Sequence, residues 1–241
     1  MTNSIADIEE ADCIFIIGSN TTENHPVLAL RVRRALERGA KLIVADPKRT
    51  DIASLAHIHI QHIPGTDVAL LNSMMYVILK EGLEDREFIK ERTENFAALK
   101  EVVKDYPPEV AAKICGVEAG LIEEAARVYA TAERASILYC MGITQHTCGT
   151  DNVMSLANLA MLCGNVGKPG TGVNPLRGQC NVQGACDLAA LPNVLPGYAK
   201  VTDEAARQRF AAAWGAIVPH QPGLAVTDLP DAILNGEVKA L

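Results

Sequence analysis

The chain contains no Cys-x-x-Cys pair, no Gly-x-Gly-x-x-Gly fingerprint and no apolar run of the roughly 18 residues needed to cross a bilayer. Its seven cysteines, Cys13, Cys115, Cys140, Cys148, Cys163, Cys180 and Cys186, are odd in number and lack tight ligand spacing. That excludes a disulfide framework and a compact zinc or iron–sulfur motif, and points to a reducing compartment, the cytoplasm. Positive charge is in deficit: 22 Lys and Arg against 29 Asp and Glu leave a net charge of -7. A polyanionic partner such as nucleic acid is therefore not expected, although local basic loops can still hold phosphates. Residues 1–10 are acidic and lack the basic start and apolar stretch of a leader, so the sequence as it stands is expected to be neither exported nor membrane-inserted. There is no internal repeat and no low-complexity tract.

What is present suffices for an ordinary core: 241 residues, 49% of them hydrophobic, enough for one large or two small domains. DCIFIIG at residues 12–18 is a short apolar run ended by glycine, as in a strand buried on both faces of a parallel sheet. After the polar loop 19–25, Pro26 can occupy the first turn of a helix, and Leu28, Val32, Ala35 and Leu36 keep helical spacing until Gly39. KLIVAD at 41–46 reads as the next strand, closing a βαβ unit. The alternation continues with a strand at 57–63, a helix at 67–80, charged helical residues at 84–110, a helix at 119–132, a strand at 135–140 and a helix at 150–163.

This order predicts an α/β fold with a doubly wound, mainly parallel sheet flanked by helices. Residues 1–163 form a nucleotide-binding α/β domain with a helical insertion on this reading. At Gly164 composition changes: residues 164–187 are dense in Gly, Pro, Asn and Gln and aperiodic, which predicts a long loop, functional or disordered, with no ordinary strand or helix. Residues 164–241 are then a Gly/Pro-rich cofactor loop and part of a second, truncated α/β domain, with helical pattern returning at 203–214 and 228–234. The final GEVKAL reads as a turn entering a strand, so the sequence is expected to continue as part of a longer protein.

Several strand-to-helix junctions carry candidate chemistry. GSNTTENHP, from Gly18, precedes a helix whose unpaired N–H groups favour a pyrophosphate, or it is simply a capping loop. Asp46 in ADPKRT can accept both hydroxyls of a ribose while Lys48 or Arg49 meets phosphate, or it can build an Asp-Pro turn. PGTD, residues 64–67, offers Asp67 to a guanine edge, since a carboxylate pairs with a ring N–H and an exocyclic amine; alternatively Thr66 or Asp67 caps the helix. MGITQH brings Met141, Gly142, Gln145 and His146 to the same sheet edge. His57, His59 and His62 are discounted as a metal site because strand alternation separates 62 from the others. In NPLRGQCNVQGACD, Arg177 is a permanent cation suited to a carboxylate or phosphate, flanked by Gly178 and the amides of Gln179, Asn181 and Gln183. Cys180 and Cys186 lack histidine neighbours, which argues against zinc or iron ligation.

Taken together, VNPLRGQCNVQGACD, CMGITQH, SLANLAMLCGNVGKPGTGVNP and ADPKRT resemble the molybdenum or tungsten formate dehydrogenases of the bis-molybdopterin guanine dinucleotide (DMSO reductase) family, in order and over essentially the whole sequence. The resemblance implies that Arg177 orients formate beside the metal. It implies pterin contacts at Met141, Gly142, Gln145 and Gln179, with Gly178 beside them, and a guanine dinucleotide loop at Gly18, Asn20, Glu23 and Asn24, completed by Asp46, Arg49, Gly65 and Asp67. The family's four cysteines for a [4Fe–4S] cluster, and its metal-ligating cysteine or selenocysteine followed by histidine, have no counterpart here. The implied partners are formate, an electron-transfer subunit or domain and the remaining parts of a parent subunit; the fragment alone is expected to be inactive. A noncatalytic structural relative, or another molybdopterin oxidoreductase such as a nitrate reductase, is the competing expectation, and a nicotinamide-binding domain is disfavoured by the missing glycine fingerprint.

Overall fold

The computed structural model describes residues 1–240. The chain divides into two compact units, Met1–Leu176 and Arg177–Leu241.

In the first unit, five strands form one sheet: β1 (Cys13–Ile17), β2 (Lys41–Ala45), β3 (Ile58–Ile60), β4 (Ala135–Tyr139) and β5 (Gly172–Pro175), in the order β3-β2-β1-β4-β5. Every neighbouring pair is parallel. β1 and β4 are buried along their whole length, which is why their sequences read as continuous apolar runs. Alternation still sorts their side chains: Cys13, Phe15 and Ile17 face one layer of core, Ile14 and Ile16 the other. The second face is covered by α1 (Pro26–Glu37) through Leu28, Val32 and Ala35. The first is covered by α2 (Asp67–Glu81), with α6 (Ala119–Ala130) and α7 (Gly149–Leu162) beside it. Leu70, Leu71, Met74, Met75 and Ile78 of α2 are all buried, so this helix runs through the middle of its layer.

The charged stretch before α6 folds as three short helices, α3 (Arg86–Arg92), α4 (Phe96–Val103) and α5 (Pro108–Cys115). Asp85 caps α3 by accepting from the Phe88 amide at 2.9 Å.

Composition predicts no regular element in residues 164–187, and the structure differs. β5 lies inside this segment and pairs with the otherwise open edge of β4. Two local features allow it: Gly172 sits at φ 105 with Thr2 and Asn3 where a side chain would go, and the buried Asn174 amide donates to Ser136 Oγ at 3.0 Å. The units consequently part at Leu176, past the composition change at Gly164, because β5 belongs to the first sheet. A short helix, α8 (Val182–Asp187), also forms in the same segment.

The second unit holds α8, a two-stranded antiparallel ribbon (β6, Val194–Leu195; β7, Ala199–Lys200), α9 (Glu204–Trp214) and α10 (Leu229–Leu234). Its core is small, built on Leu195, Val201 and Ala206 with Phe210 and Val218 against them. Among the described residues, no helix is long and apolar enough to cross a membrane.

Candidate functional site

A parallel sheet delivers all its strand C-termini to one edge. Here the strand order reverses between β1 and β4, and the loops leaving those two strands flank the crevice where α/β proteins bind ligands. The two loops touch backbone to backbone: the Gly142 amide donates to the Gly18 carbonyl at 3.0 Å. Gly18 is left-handed, at φ 58, and a Cβ there would lie 2.6 Å from the Gly142 carbonyl carbon. A third loop joins them, because Gly65 lies beside His146, whose Nε2–H donates to the Gly142 carbonyl at 2.9 Å. The Gly18 and Gly142 junctions are thus in contact, and the Gly65 turn lies beside the second of them.

The loop after β1 forms a single helical turn, Thr21–Asn24, before α1. Neither Asn20 nor His25 supplies a side-chain cap to the helix that follows it, so capping does not account for this loop. Ser19 and Thr21 pair through their hydroxyls at 3.2 Å and are buried, while Glu23 and Asn24 are exposed. Asn20 Oδ1 is buried without a hydrogen-bond partner.

Asp46 does build the Asp-Pro turn: its Oδ1 accepts from the Lys48 amide at 2.8 Å. The turn is tied to the chain around β3 by His59 Nε2 on the Asp46 carbonyl (3.3 Å) and by Gln61 Nε2 on the Pro47 carbonyl (3.1 Å). Arg49 is exposed.

Asp67 departs from the sequence expectation of a carboxylate offered at the sheet edge. It is buried, and its Oδ1 accepts from His62 Nε2–H at 2.9 Å. The reason is that β3 ends at Ile60, so His62 lies outside the strand and turns inward onto the start of α2. Thr66 makes no side-chain cap and instead donates its hydroxyl to the Ile63 carbonyl at 2.6 Å. In the sequence His62 reads only as a discounted metal ligand, and spacing gives no signal of this partnership. Among the described residues, no group of His, Cys, Asp and Glu could hold a metal ion. Burial pushes the Cys13 and Cys163 thiols up to about 12, so neither is a thiolate near neutral pH.

Met141 and Gln145 are exposed on the turn after β4, Met141–Thr144, with Gly142 between them. The structure therefore brings Gly18, Asn20, Glu23, Asn24, Asp46, Arg49, Gly65, Met141, Gly142 and Gln145 to one sheet edge, with Asp67 buried behind it. Arg177, Gly178 and Gln179 open the second unit, where all three are exposed. Within that unit Asp187 accepts a hydrogen bond from the Tyr198 hydroxyl and raises its pKa, while the charge of Arg177 acts in the opposite direction. Tyr198 sits at φ 60, an unusual conformation for a tyrosine, and no pattern in the sequence singles it out.

Comparison with known proteins gives a consistent set. The family described as molybdopterin oxidoreductase matches residues 1–241. An F420-dependent formate dehydrogenase subunit alpha of Methanocaldococcus jannaschii is 59% identical over 231 residues, covering 96% of this chain and 34% of that protein. Formate dehydrogenase H of Escherichia coli is 46% identical over 241 residues, covering 100% of this chain and 34% of that protein. Among solved structures, acetylene hydratase from Pelobacter acetylenicus superposes with a TM-score of 0.61 at 32% identity, covering 66% of this chain and 24% of that one. The chain thus spans about a third of the length of these formate dehydrogenase relatives.

Proposed function

This chain belongs to the molybdopterin oxidoreductase family, and from that membership we propose that it is the central cofactor-holding segment of a formate dehydrogenase catalytic subunit. In the parent, formate (HCOO⁻) loses one proton and two electrons and leaves as carbon dioxide, the electrons passing to iron–sulfur centres and then to an electron-transfer subunit or domain. The cofactor, in this reading a bis-molybdopterin guanine dinucleotide with molybdenum or tungsten, supplies the two-electron redox chemistry when bound.

What this chain supplies is binding and electrostatics. The observation that carries the reading is the contact of the loops after β1 and β4 at the point where strand order reverses, with the turn after β3 beside His146. The residues there suit a polar dinucleotide: Glu23, Asn24, Arg49, Met141 and Gln145 are exposed, and Asn20 Oδ1 is a buried acceptor without a partner. Asn20, Glu23 and Asn24 hold the nucleotide end beside Gly18, with Gly65 and Asp67 completing it. Asp46 takes ribose hydroxyls through the carboxylate oxygen its turn does not use, and Arg49 meets phosphate. In the first unit Met141, Gly142 and Gln145 contact pterin; the second unit, by itself, offers Gly178 and Gln179 for pterin contacts. Arg177 binds and orients formate, offsetting its negative charge. All seven cysteines are free, which supports a reducing, cytoplasmic setting for the parent.

The test uses the full-length parent. Molybdenum or tungsten, pterin and guanine nucleotide are expected in stoichiometric amounts, together with formate-dependent reduction of an artificial electron acceptor. A metal-free, pterin-free parent removes the reading in favour of a noncatalytic relative. A metal-loaded parent that ignores formate removes the substrate. The segment alone is expected to oxidise no formate.

A further inference from the structure

His146 stands between the turns that follow β3 and β4. Its Nε2–H donates to the Gly142 carbonyl at 2.9 Å, and its Nδ1 would lie 3.9 Å from a Cβ on Gly65. The imidazole thus bridges the gap from Gly142 to Gly65. Its backbone is fixed as well, because its carbonyl accepts from the Gly149 amide at 2.9 Å, where α7 begins. The turn that the ring clamps is held a second time by the fully buried Asn152, whose amide donates to the Ile143 carbonyl at 2.8 Å.

A carbonyl only accepts, so the bond to Gly142 keeps a proton on Nε2 and leaves Nδ1 as the second polar atom of the ring. Nδ1 makes no hydrogen bond to any described residue. His146 is half-buried, and Gly65, Gly142 and Gln145 around it are exposed, so Nδ1 stands at an open edge of the crevice. Clamping the turn uses Nε2 alone and gives no work to Nδ1.

The place of Nδ1 selects the part of the ligand it meets. Met141, Gly142 and Gln145 carry the proposed pterin contacts and Gly65 belongs to the proposed nucleotide end, so the ring lies between the two ends of a pterin dinucleotide. What joins those ends is a pyrophosphate. An anionic oxygen beside an imidazole favours the doubly protonated ring, in which Nδ1–H donates a charge-assisted hydrogen bond while Nε2–H keeps Gly142.

We propose that His146 is a further binding residue of this site, donating from Nδ1 to the pyrophosphate of the dinucleotide while Nε2 holds the Met141–Thr144 turn. The inference rests on the reading that a pterin dinucleotide occupies these loops, and it adds the side chain that meets the middle of that ligand.

The experiment titrates cofactor-free full-length parent with GDP and with guanosine, which lacks the diphosphate, and records the urea midpoint of each protein. His146→Gln places an amide donor where Nε2 stood and nothing where Nδ1 stood. It keeps the wild-type midpoint and guanosine affinity, while GDP affinity falls about tenfold. His146→Asn, whose amide reaches the Nδ1 position but not Gly142, keeps the preference for GDP and lowers the urea midpoint. Unchanged GDP affinity in His146→Gln overturns the proposal, and so does an equal loss for GDP and guanosine, the mark of a displaced turn. A wild-type protein that binds GDP no tighter than guanosine overturns it as well. If His146→Gln does not fold, His146→Asn decides: a retained GDP preference supports the proposal and a lost one defeats it. Failure of both variants to fold assigns His146 a structural role alone and also defeats it. Formate oxidation is a separate readout. GDP binding that depends on His146 in a parent inert toward formate leaves this inference standing while removing the proposed activity, and an active parent whose GDP affinity ignores His146→Gln does the reverse.

Discussion

The amide of Gly142 donates to the carbonyl of Gly18 at 3.0 Å, joining the loops that leave β1 and β4, the two strands between which the order of the sheet reverses. Their Cα atoms approach so closely that a side chain on either residue would enter the other: a Cβ on Gly142 would lie 2.6 Å from the Gly18 carbonyl oxygen. Two glycines far apart in sequence therefore define the floor of the crevice.

Gly18→Ala is expected to be the more damaging of the two substitutions, because it adds left-handed strain at φ 58 to the collision. A loss of about 2–4 kcal/mol is expected for Gly18→Ala and about 1–3 for Gly142→Ala, from strain and overpacking together. Chemical denaturation of each variant measures this. A neutral Gly18→Ala would show that the loops can separate freely.

Arg177 is the substrate arginine of the proposed activity. In the full-length parent, Arg177→Leu is expected to raise the formate KM and cut kcat, lowering kcat/KM by about two to three orders of magnitude, the size of effect that losing a charged partner of the substrate produces. Arg177→Lys keeps the charge but not the planar fork and should fall between the two. Unchanged steady-state kinetics in Arg177→Leu sinks the assignment.

Asn165 ties the start of β4 to the turn after α7. Its Oδ1 accepts from the buried Ala135 amide at 3.0 Å, and its carbonyl accepts from Gly172 at 2.9 Å, so it links β4 to the entry of β5. Asn165→Ala leaves the Ala135 N–H without a partner and is expected to cost about 1–3 kcal/mol. Arg127→Ala is the control. Although Arg127 reaches both Glu81 and Glu123, its side chain is 46% exposed, and its removal should cost no more than about 1 kcal/mol. Equal effects in the two variants would contradict this ordering.

Cys13 predicts an alkaline limit to stability. Its thiol is fully buried in β1, and desolvation, helped by the charge of Asp12, raises its pKa from 9.0 to about 12. The folded state holds the proton more tightly than the unfolded state, so this contribution is complete below pH 9 and is lost as pH rises toward about 12. The expected slope is at most about 1.4 kcal/mol per pH unit, and Cys13→Ala should flatten it at the expense of about 1 kcal/mol of packing at neutral pH. Urea midpoints compared across that pH range check this; identical slopes in both proteins remove it.

Much of the molecule was legible in the residues themselves. Near-continuous apolar runs such as CIFII and ASILY read as strands buried on both faces, and helices alternating with them favour parallel pairing, which in turn sends GSNTTENHP, ADPKRT, PGTD and MGITQH to one edge. Sequence by itself thus determined the sheet flanked by helices, the edge to which these loops run and the polar residue types offered there. Tertiary structure alone decided three things. β5 forms in a glycine-rich stretch of no strand propensity because β4 had an open edge with unpaired backbone groups. Gly18 and Gly142 touch because the sheet sets β1 beside β4, a distance that no local pattern encodes. Asp67 turns inward because His62 falls beyond the end of β3 and meets it in the buried layer, where a carboxylate must be paired, whereas its surroundings in the sequence, Pro-Gly-Thr-Asp, read only as a polar turn open to solvent.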